Sequence, residues 1–187
     1  MNIFVDIDGV LADFVGAALA VHKAENPWKV NSKNLGNYDL VKLLNMNPNK
    51  FWDPLNSHDF WSSLDPLPDG LSLLEFLEEN FPADKIYLAT SPTLSPFCSS
   101  GKHEWVDRHL PRYSRKLFIG AAKEAFAQVP GALLIDDSDV NVKKFLGEGG
   151  KAILWPALWN SAHEYSHMNN EYFTSCFVSA RANAHLH

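Results

Sequence analysis

The stretch NIFVDIDGVLADF, residues 2–14, carries an apolar strand into two carboxylates one residue apart, Asp6 and Asp8, followed at once by Gly9. Burying two acids together at a strand end costs free energy unless a cation or a bound proton relieves them. A single acid there would be an ordinary solvated turn. Two acids, with a glycine that permits the tight bend, call for a chemical reason.

Working outward, four further apolar runs match the first: residues 85–90, 116–120, 132–136 and 151–155. Each is nearly continuous in hydrophobicity, as a strand covered on both faces requires. Helical patterns separate them. Asp69 is placed to cap a helix whose Leu73, Leu74, Leu77 and Phe81 share one face, with Pro82 after its end. Trp105, Val106 and Leu110 make a second such face, ended by Pro111. A third helix is expected over 121–129, and a fourth after a capping Asp139, presenting Val140, Lys144 and Phe145 and stopping at Gly147. Strand–helix alternation of this kind predicts an α/β fold, a Rossmann-like parallel sheet sandwiched by helices. Residues 14–68 break the pattern: no buried strand, many Asn, Trp and Phe, and an amphipathic start at Val15, Leu19 and His22. They read as a mainly helical cap inserted after the first strand, leaving 1–13 and 69–187 as the α/β core. The tail beyond Trp159 is polar and His-rich, and it supports no assignment.

Bulk properties exclude several classes. The chain has 187 residues, 46% of them hydrophobic, enough for one domain with a modest insertion. A net charge of −6 disfavours a stable nucleic-acid binder, which needs a basic face. Two cysteines far apart in sequence, Cys98 and Cys176, make no disulfide framework and fit a reducing, cytoplasmic setting. The start shows no secretory leader, and no apolar run approaches the ~20 residues that span a bilayer. Oligomeric state is open, a homodimer included.

In an open parallel sheet, ligands bind beyond the carboxyl ends of the strands. Here those ends carry Asp6 and Asp8, then Thr90-Ser91, then Asp136-Asp137. Neighbouring strands would bring four carboxylates and two hydroxyls to one spot. A hard divalent cation resolves the repulsion, and Mg²⁺ suits a site that shares a substrate phosphate. Thr90 and Ser91 are the donors for phosphate oxygens, and Lys123 is the best-placed neutralising cation, with Lys116 second. One carboxylate of the Asp6/Asp8 doublet can attack phosphorus while the other moves the proton.

These residues resemble the haloacid dehalogenase-like phosphohydrolase superfamily in Asp6-Ile7-Asp8-Gly9-Val10, in Thr90 or Ser91 after an apolar strand, in Lys123, and in Asp136-Asp137. The segments "DGVLADF", "LDPLPDG", "ATSP", a K-x-x-W-V helix at Lys102, Trp105 and Val106, "LLIDD" and Trp159-Asn160 resemble the 5'(3')-deoxyribonucleotidase family more closely. The resemblance implies a magnesium-dependent hydrolase, a nucleotidase of nucleotide metabolism acting on a small-molecule (deoxy)nucleoside monophosphate. Asp6 would be nucleophile and metal ligand. Asp8 would be the acid/base and a ligand through its backbone carbonyl. Asp137 would be the third direct ligand, with Asp136 close by, and Thr90, Ser91 and Lys123 would hold the phosphate. The insertion would shield the site and contact the nucleoside, with Phe51, Trp52, Phe60 and Trp61 as candidate stacking surfaces. Members of this family often carry Arg after the acidic pair; Ser138 stands there instead.

The alternatives are a phosphatase for another small phosphate or a polynucleotide 3' end, and a catalytically silent binding protein. A calcium loop from Asp137 to Glu148 is rejected because its sixth position, which needs glycine, is Val142. His163, His167, His185 and His187 show no metal-ligand spacing and read as solvated.

Overall fold

In the computed structural model the five apolar runs pair as parallel strands: β1 (Asn2–Val5), β2 (Ile86–Thr90), β3 (Leu117–Ile119), β4 (Ala132–Asp136) and β5 (Lys151–Leu154). Their order across the sheet is β3-β2-β1-β4-β5. The structure describes the backbone of residues 1–184 and the side chains of residues 1–178. Between the strands run α1 (Phe14–Val21), α2 (Pro27–Val30), α3 (Leu40–Leu43), α4 (Pro48–Trp52), α5 (His58–Ser62), α6 (Pro68–Asn80), α7 (Pro96–His109), α8 (Asp139–Gly147) and α9 (Asn169–Ala184).

Side-chain alternation along β1 explains why the sheet is covered on both faces. Ile3 and Val5 enter a large apolar cluster with Leu73, Leu74 and Leu77 of α6, Trp105 and Val106 of α7, and Phe173 and Phe177 of α9. Phe4 points the other way and packs with Leu134, Ala127 and Phe145. The large cluster continues through Leu19, Trp28, Leu40 and Phe51, so the helices of the segment after β1 share apolar packing with the sheet. Glycines set two close approaches. A Cβ on Gly70 would meet the Val10 carbonyl at 1.9 Å, and one on Gly101 would meet Trp61 Cβ at 2.6 Å, so α6 and α7 seat where they do because both positions lack one.

Register decides where the strands deliver their last residues. Val5 lies opposite Leu88 on β2 and Ile135 on β4. Asp6, Thr90 and Asp136 therefore leave the sheet at one edge, and Asp6 N–H still donates to Ile135 O at 2.9 Å.

Several local expectations are corrected. The residue before α6 is Leu67 and Pro68 takes its first position; Asp69 lies in the first turn and makes no cap bond. Ser138, not Asp139, caps α8 by accepting from Asn141 N–H, while Asp139 accepts from Ser161. Val140 is exposed and Phe145 alone of the expected face is buried. Residues 123–128 form a 3-10 stretch rather than an α-helix, and β3 and β5 are shorter than the apolar runs that contain them. The segment after Trp159 is not a featureless tail: α9 sets Phe173 and Phe177 edge-on to Phe76. His163 Nδ1 lies 3.0 Å from the Asn160 carbonyl and His167 is exposed; His185 and His187 fall outside the described residues. Among the described residues no helix is long and apolar enough to cross a membrane.

Candidate active site

The turn after β1 is built by one carbonyl. Ile7 O accepts from the N–H groups of Val10, Leu11 and Ala12, folding the chain back on itself so that Asp6 and Asp8 share one rim. Gly9 takes φ +76° there, and a Cβ on it would lie 2.3 Å from Asp137 Oδ2. The tight bend and the acid behind it thus require the same glycine.

Asp6, Asp136 and Asp137 are all buried, and each offers a carboxylate oxygen within 4.8 Å of the others. Asp6 Oδ1 accepts from Ile7 N–H at 2.7 Å and pairs with Lys123 Nζ at 2.7 Å. The same ammonium donates to Asp136 Oδ2 at 2.6 Å. Asp136 Oδ1 accepts from Ser138 N–H at 2.9 Å, and the Asn141 amide donates to both oxygens of Asp136. Asp137 differs. Its Oδ2 accepts from the Trp159 indole N–H at 2.6 Å, and no cation pairs with it among the described residues.

Asp8 stands slightly outside this cluster with its side chain 24% exposed. Lys102 Nζ pairs with its Oδ2 and also donates to Thr90 Oγ1 and the Ser91 carbonyl, each at 2.7 Å. All three ammonium hydrogens of a 1%-exposed lysine are thereby used. Asp8 Oδ1 is buried and has no hydrogen-bond partner among the described residues.

Four carboxylates face two ammonium groups in this site, leaving two negative charges, the charge that one divalent cation would balance. The titration directions agree with that count. Burial pushes Asp8 above its ordinary value, Asp6 adds to the shift, and Lys102 opposes it. Burial, then Asp136 and Asp6, hold Asp137 well above the carboxylate range. Burial and Asp6 push Asp136 up to about 6 against the pull of Lys123. Burial alone would lower Lys123, but Asp6 and Asp136 outweigh it and hold the ammonium above its usual range. Groups so placed are short of positive charge. The oxygen-only donor set of Asp6, Asp136 and Asp137 fits a hard cation such as Mg²⁺.

Above the acids lies a cavity of about 250 Å³ with Asp8, Gly9 and Asp137 in its floor and Phe14, Trp28, Tyr38, Phe51, Trp52 and Trp159 among its walls. Two of the four candidate stacking residues, Phe51 and Trp52, line it. Trp61 lies flat on Phe14 (5.4 Å, 7°), under the Lys102 ammonium at 5.1 Å, and borders a second cavity of about 570 Å³ with Trp52 and Thr93. Phe60 packs edge-on to Phe14 and lines neither cavity, because its side of α5 faces the apolar cluster. Lys116 is remote from the acids, donating to Ala83 O on the surface.

Lys102, Tyr38, Trp28 and Trp159 were not expected as site residues. Lys102 had a readable signal. It shares the buried stripe of α7 with Cys98, Trp105 and Val106, and a lysine on an apolar stripe demands a partner. Thr90 is fully buried and its hydroxyl meets Lys102, so it holds that lysine in place.

A family model described as 5' nucleotidase, deoxy (pyrimidine), cytosolic type C protein matches residues 1–177. The chain is 28% identical over 147 residues to the human cytosolic-type 5'(3')-deoxyribonucleotidase, covering 74% of this chain and 71% of that protein. It is 26% identical over 148 residues to the mouse mitochondrial 5'(3')-deoxyribonucleotidase, of which it spans 64%, under two thirds. Among solved structures, a haloacid dehalogenase-like family hydrolase from Streptococcus pneumoniae superposes with a TM-score of 0.53 at 13% identity, covering 90% of this chain and 91% of that one. That likeness is one of fold.

Proposed function

This chain belongs to the 5' nucleotidase, deoxy (pyrimidine), cytosolic type C family, and we propose that it hydrolyses the phosphomonoester of (deoxy)nucleoside monophosphates at the Asp6–Asp8–Asp137 site. The family is one of phosphoric monoester hydrolases, and the chain is such an enzyme. The observation that carries the reading is the convergence of Asp6, Asp136 and Asp137 within 4.8 Å beneath an aromatic cavity.

Mg²⁺ held by the carboxylates of Asp6 and Asp137 and the backbone carbonyl of Asp8 would balance the excess negative charge and polarise the phosphoryl oxygens. Both protein contacts of Asp6 fall on Oδ1, so Oδ2, without a donor among the described residues, is the oxygen free to attack phosphorus. The Asp6 O–P bond forms, the ester P–O bond breaks, and Asp8 gives its proton to the departing nucleoside oxygen. Burial raises its affinity for a proton, as a proton donor needs. Asp8 then takes a proton from the water that attacks the aspartyl-phosphate, releasing phosphate and restoring Asp6. Lys102 holds Asp8 through Oδ2 and leaves Oδ1 to carry the proton. Lys123 holds Asp6 through Oδ1 and neutralises charge gathering on the phosphoryl group.

The cavity walls favour a flat, partly apolar leaving group over a bare sugar, and their closeness favours a small substrate over a polynucleotide end. The human cytosolic relative and the two free cysteines support a cytoplasmic location. The test is a panel of kcat/KM values for deoxyribonucleotides, ribonucleotides and sugar phosphates with Mg²⁺ and with EDTA. Nucleotides should be preferred and EDTA should abolish turnover. Equal, feeble rates on all substrates would overturn the nucleotidase reading.

A further inference from the structure

We propose that Trp159 is the positioning residue of Asp137: its indole N–H ties down one carboxylate oxygen so that the other, with its charge intact, is presented to the cation. The proposal rests on reading Asp6 and Asp137 as the ligands of a divalent cation.

Asp137 is the first residue beyond β4, so no strand pairing holds its backbone. Two side chains from the turn after β5 hold the residue instead, Asn160 by its backbone carbonyl and Trp159 by its carboxylate. Asn160, fully buried, donates from Nδ2 to the Asp137 carbonyl and the Trp155 carbonyl, each at 2.8 Å. Its Oδ1 accepts from Ala157 N–H at 3.2 Å and Ala162 N–H at 3.0 Å. With four bonds made, Asn160 locks the turn that carries Trp159. The Trp159 ring is in turn confined: it contacts Trp28 (centroids 5.4 Å, 51°) and passes within 3.0 Å of where a Gly9 Cβ would stand. From this seat Nε1 reaches Asp137 Oδ2 at 2.6 Å.

The chemistry of the donor matters. Asp6 and Asp136 share the Lys123 ammonium, which spends part of their charge. An indole N–H is neutral, so it orients Asp137 without competing with a metal ion for its charge. A lysine or arginine at position 159 would orient the carboxylate and displace the cation. Partners that orient metal ligands in this way are worth roughly 10–100-fold in metal affinity.

The test compares Trp159→Phe with Trp159→His. Phenylalanine keeps a ring against Trp28 and removes the donor. Histidine is smaller, but its Nε2 occupies the five-membered-ring position that Nε1 occupies in indole. Titration calorimetry with Mg²⁺ alone should show Trp159→Phe weakened by about 10–100-fold and Trp159→His close to the parent. In activity assays the Mg²⁺ concentration for half-saturation should rise in Trp159→Phe and stay near that of the parent in Trp159→His. Parent-like Mg²⁺ affinity in Trp159→Phe, or equal loss in both variants, overturns the positioning role. A parent chain that binds no Mg²⁺ overturns the cation reading as well. Should a variant fail to fold, the Trp159 indole N–H resonance of the unaltered chain serves. It should shift on adding Mg²⁺, and an unmoved resonance overturns the proposal.

Discussion

Replacing Lys102 by methionine tests the electrostatics of the site at its most loaded point. Methionine fills nearly the same volume and cannot donate, so three contacts vanish together: to Asp8 Oδ2, to Thr90 Oγ1 and to the Ser91 carbonyl. Breaking a buried ion pair from one side costs about 3–5 kcal/mol, and leaving a buried acceptor unmet costs about 1–3 kcal/mol. These do not simply add. Asp8 keeps some contact with solvent, and its proton affinity is already raised, so it can neutralise itself once the lysine is gone. A net loss of about 3–5 kcal/mol is expected at pH 8, or roughly 6–20 °C in Tm for a chain of this length. The loss should shrink as pH falls to 5, because a protonated Asp8 needs no cation. With Lys102 gone, Asp8 is no longer held in position for either proton transfer, so kcat should fall by roughly 10²–10⁴. Thermal melts of parent and variant in EDTA at pH 5 and pH 8, with kcat at pH 7, read all of this. A Tm within about 2 °C of the parent at pH 8, or a deficit independent of pH, would refute the pairing of Lys102 with Asp8.

Four further outcomes follow from the same geometry. The folded, metal-free chain binds protons at Asp8, Asp136 and Asp137 more tightly than the unfolded chain, with Asp136 near 6, so its stability should rise as pH is lowered from 8 toward 5. Mg²⁺ competes for the deprotonated forms, so the Tm gain on adding Mg²⁺ should grow with pH; melts with and without Mg²⁺ across that range check both, and a flat profile would contradict them. Gly9→Ala should cost at least ~1–2 kcal/mol from its left-handed backbone alone, and should also weaken Mg²⁺ binding because the new Cβ displaces Asp137 Oδ2; unchanged metal affinity by calorimetry would show that Asp137 is not where the geometry puts it. Leu77→Ala on α6, fully buried and far from the acids, should cost about 2–5 kcal/mol in denaturant unfolding while leaving Mg²⁺ affinity alone, which separates loss of packing from loss of the site.

The strands were legible because short, continuous apolar runs suit buried strands, and two of them, β1 and β4, lead into acids. The shared edge for Asp6, Thr90 and Asp136 followed from parallel order. Other features were hidden. Helix ends were misread where two capping side chains stand together: Ser138 and Asp139 are both good caps, and the choice falls to Ser138 because Asp139 is drawn away to Ser161. The stretch 121–129 has helix-forming residues, yet Lys123 is pulled between Asp6 and Asp136 and the chain tightens into a 3-10 stretch. Lys102 entered only as part of the K-x-x-W-V helix, and its place in the site was hidden because its partner, Asp8, is 94 residues away in sequence. The helix α9 hid in a polar segment because, among its described side chains, Phe173 and Phe177, four residues apart, are the buried ones. The cap aromatics form so dense a cluster that pattern alone could not tell Phe51 and Trp52, which border the cavity, from Phe60, which does not.

The central claim is that the acids at the ends of β1 and β4 share one divalent cation. A crystal of this chain soaked in Mn²⁺, a Mg²⁺ surrogate with a usable anomalous signal, tests it most directly. One anomalous peak is expected between the carboxylates of Asp6 and Asp137, with Asp136 still bound to Lys123. A site without a peak, or a peak held by other residues, would contradict it.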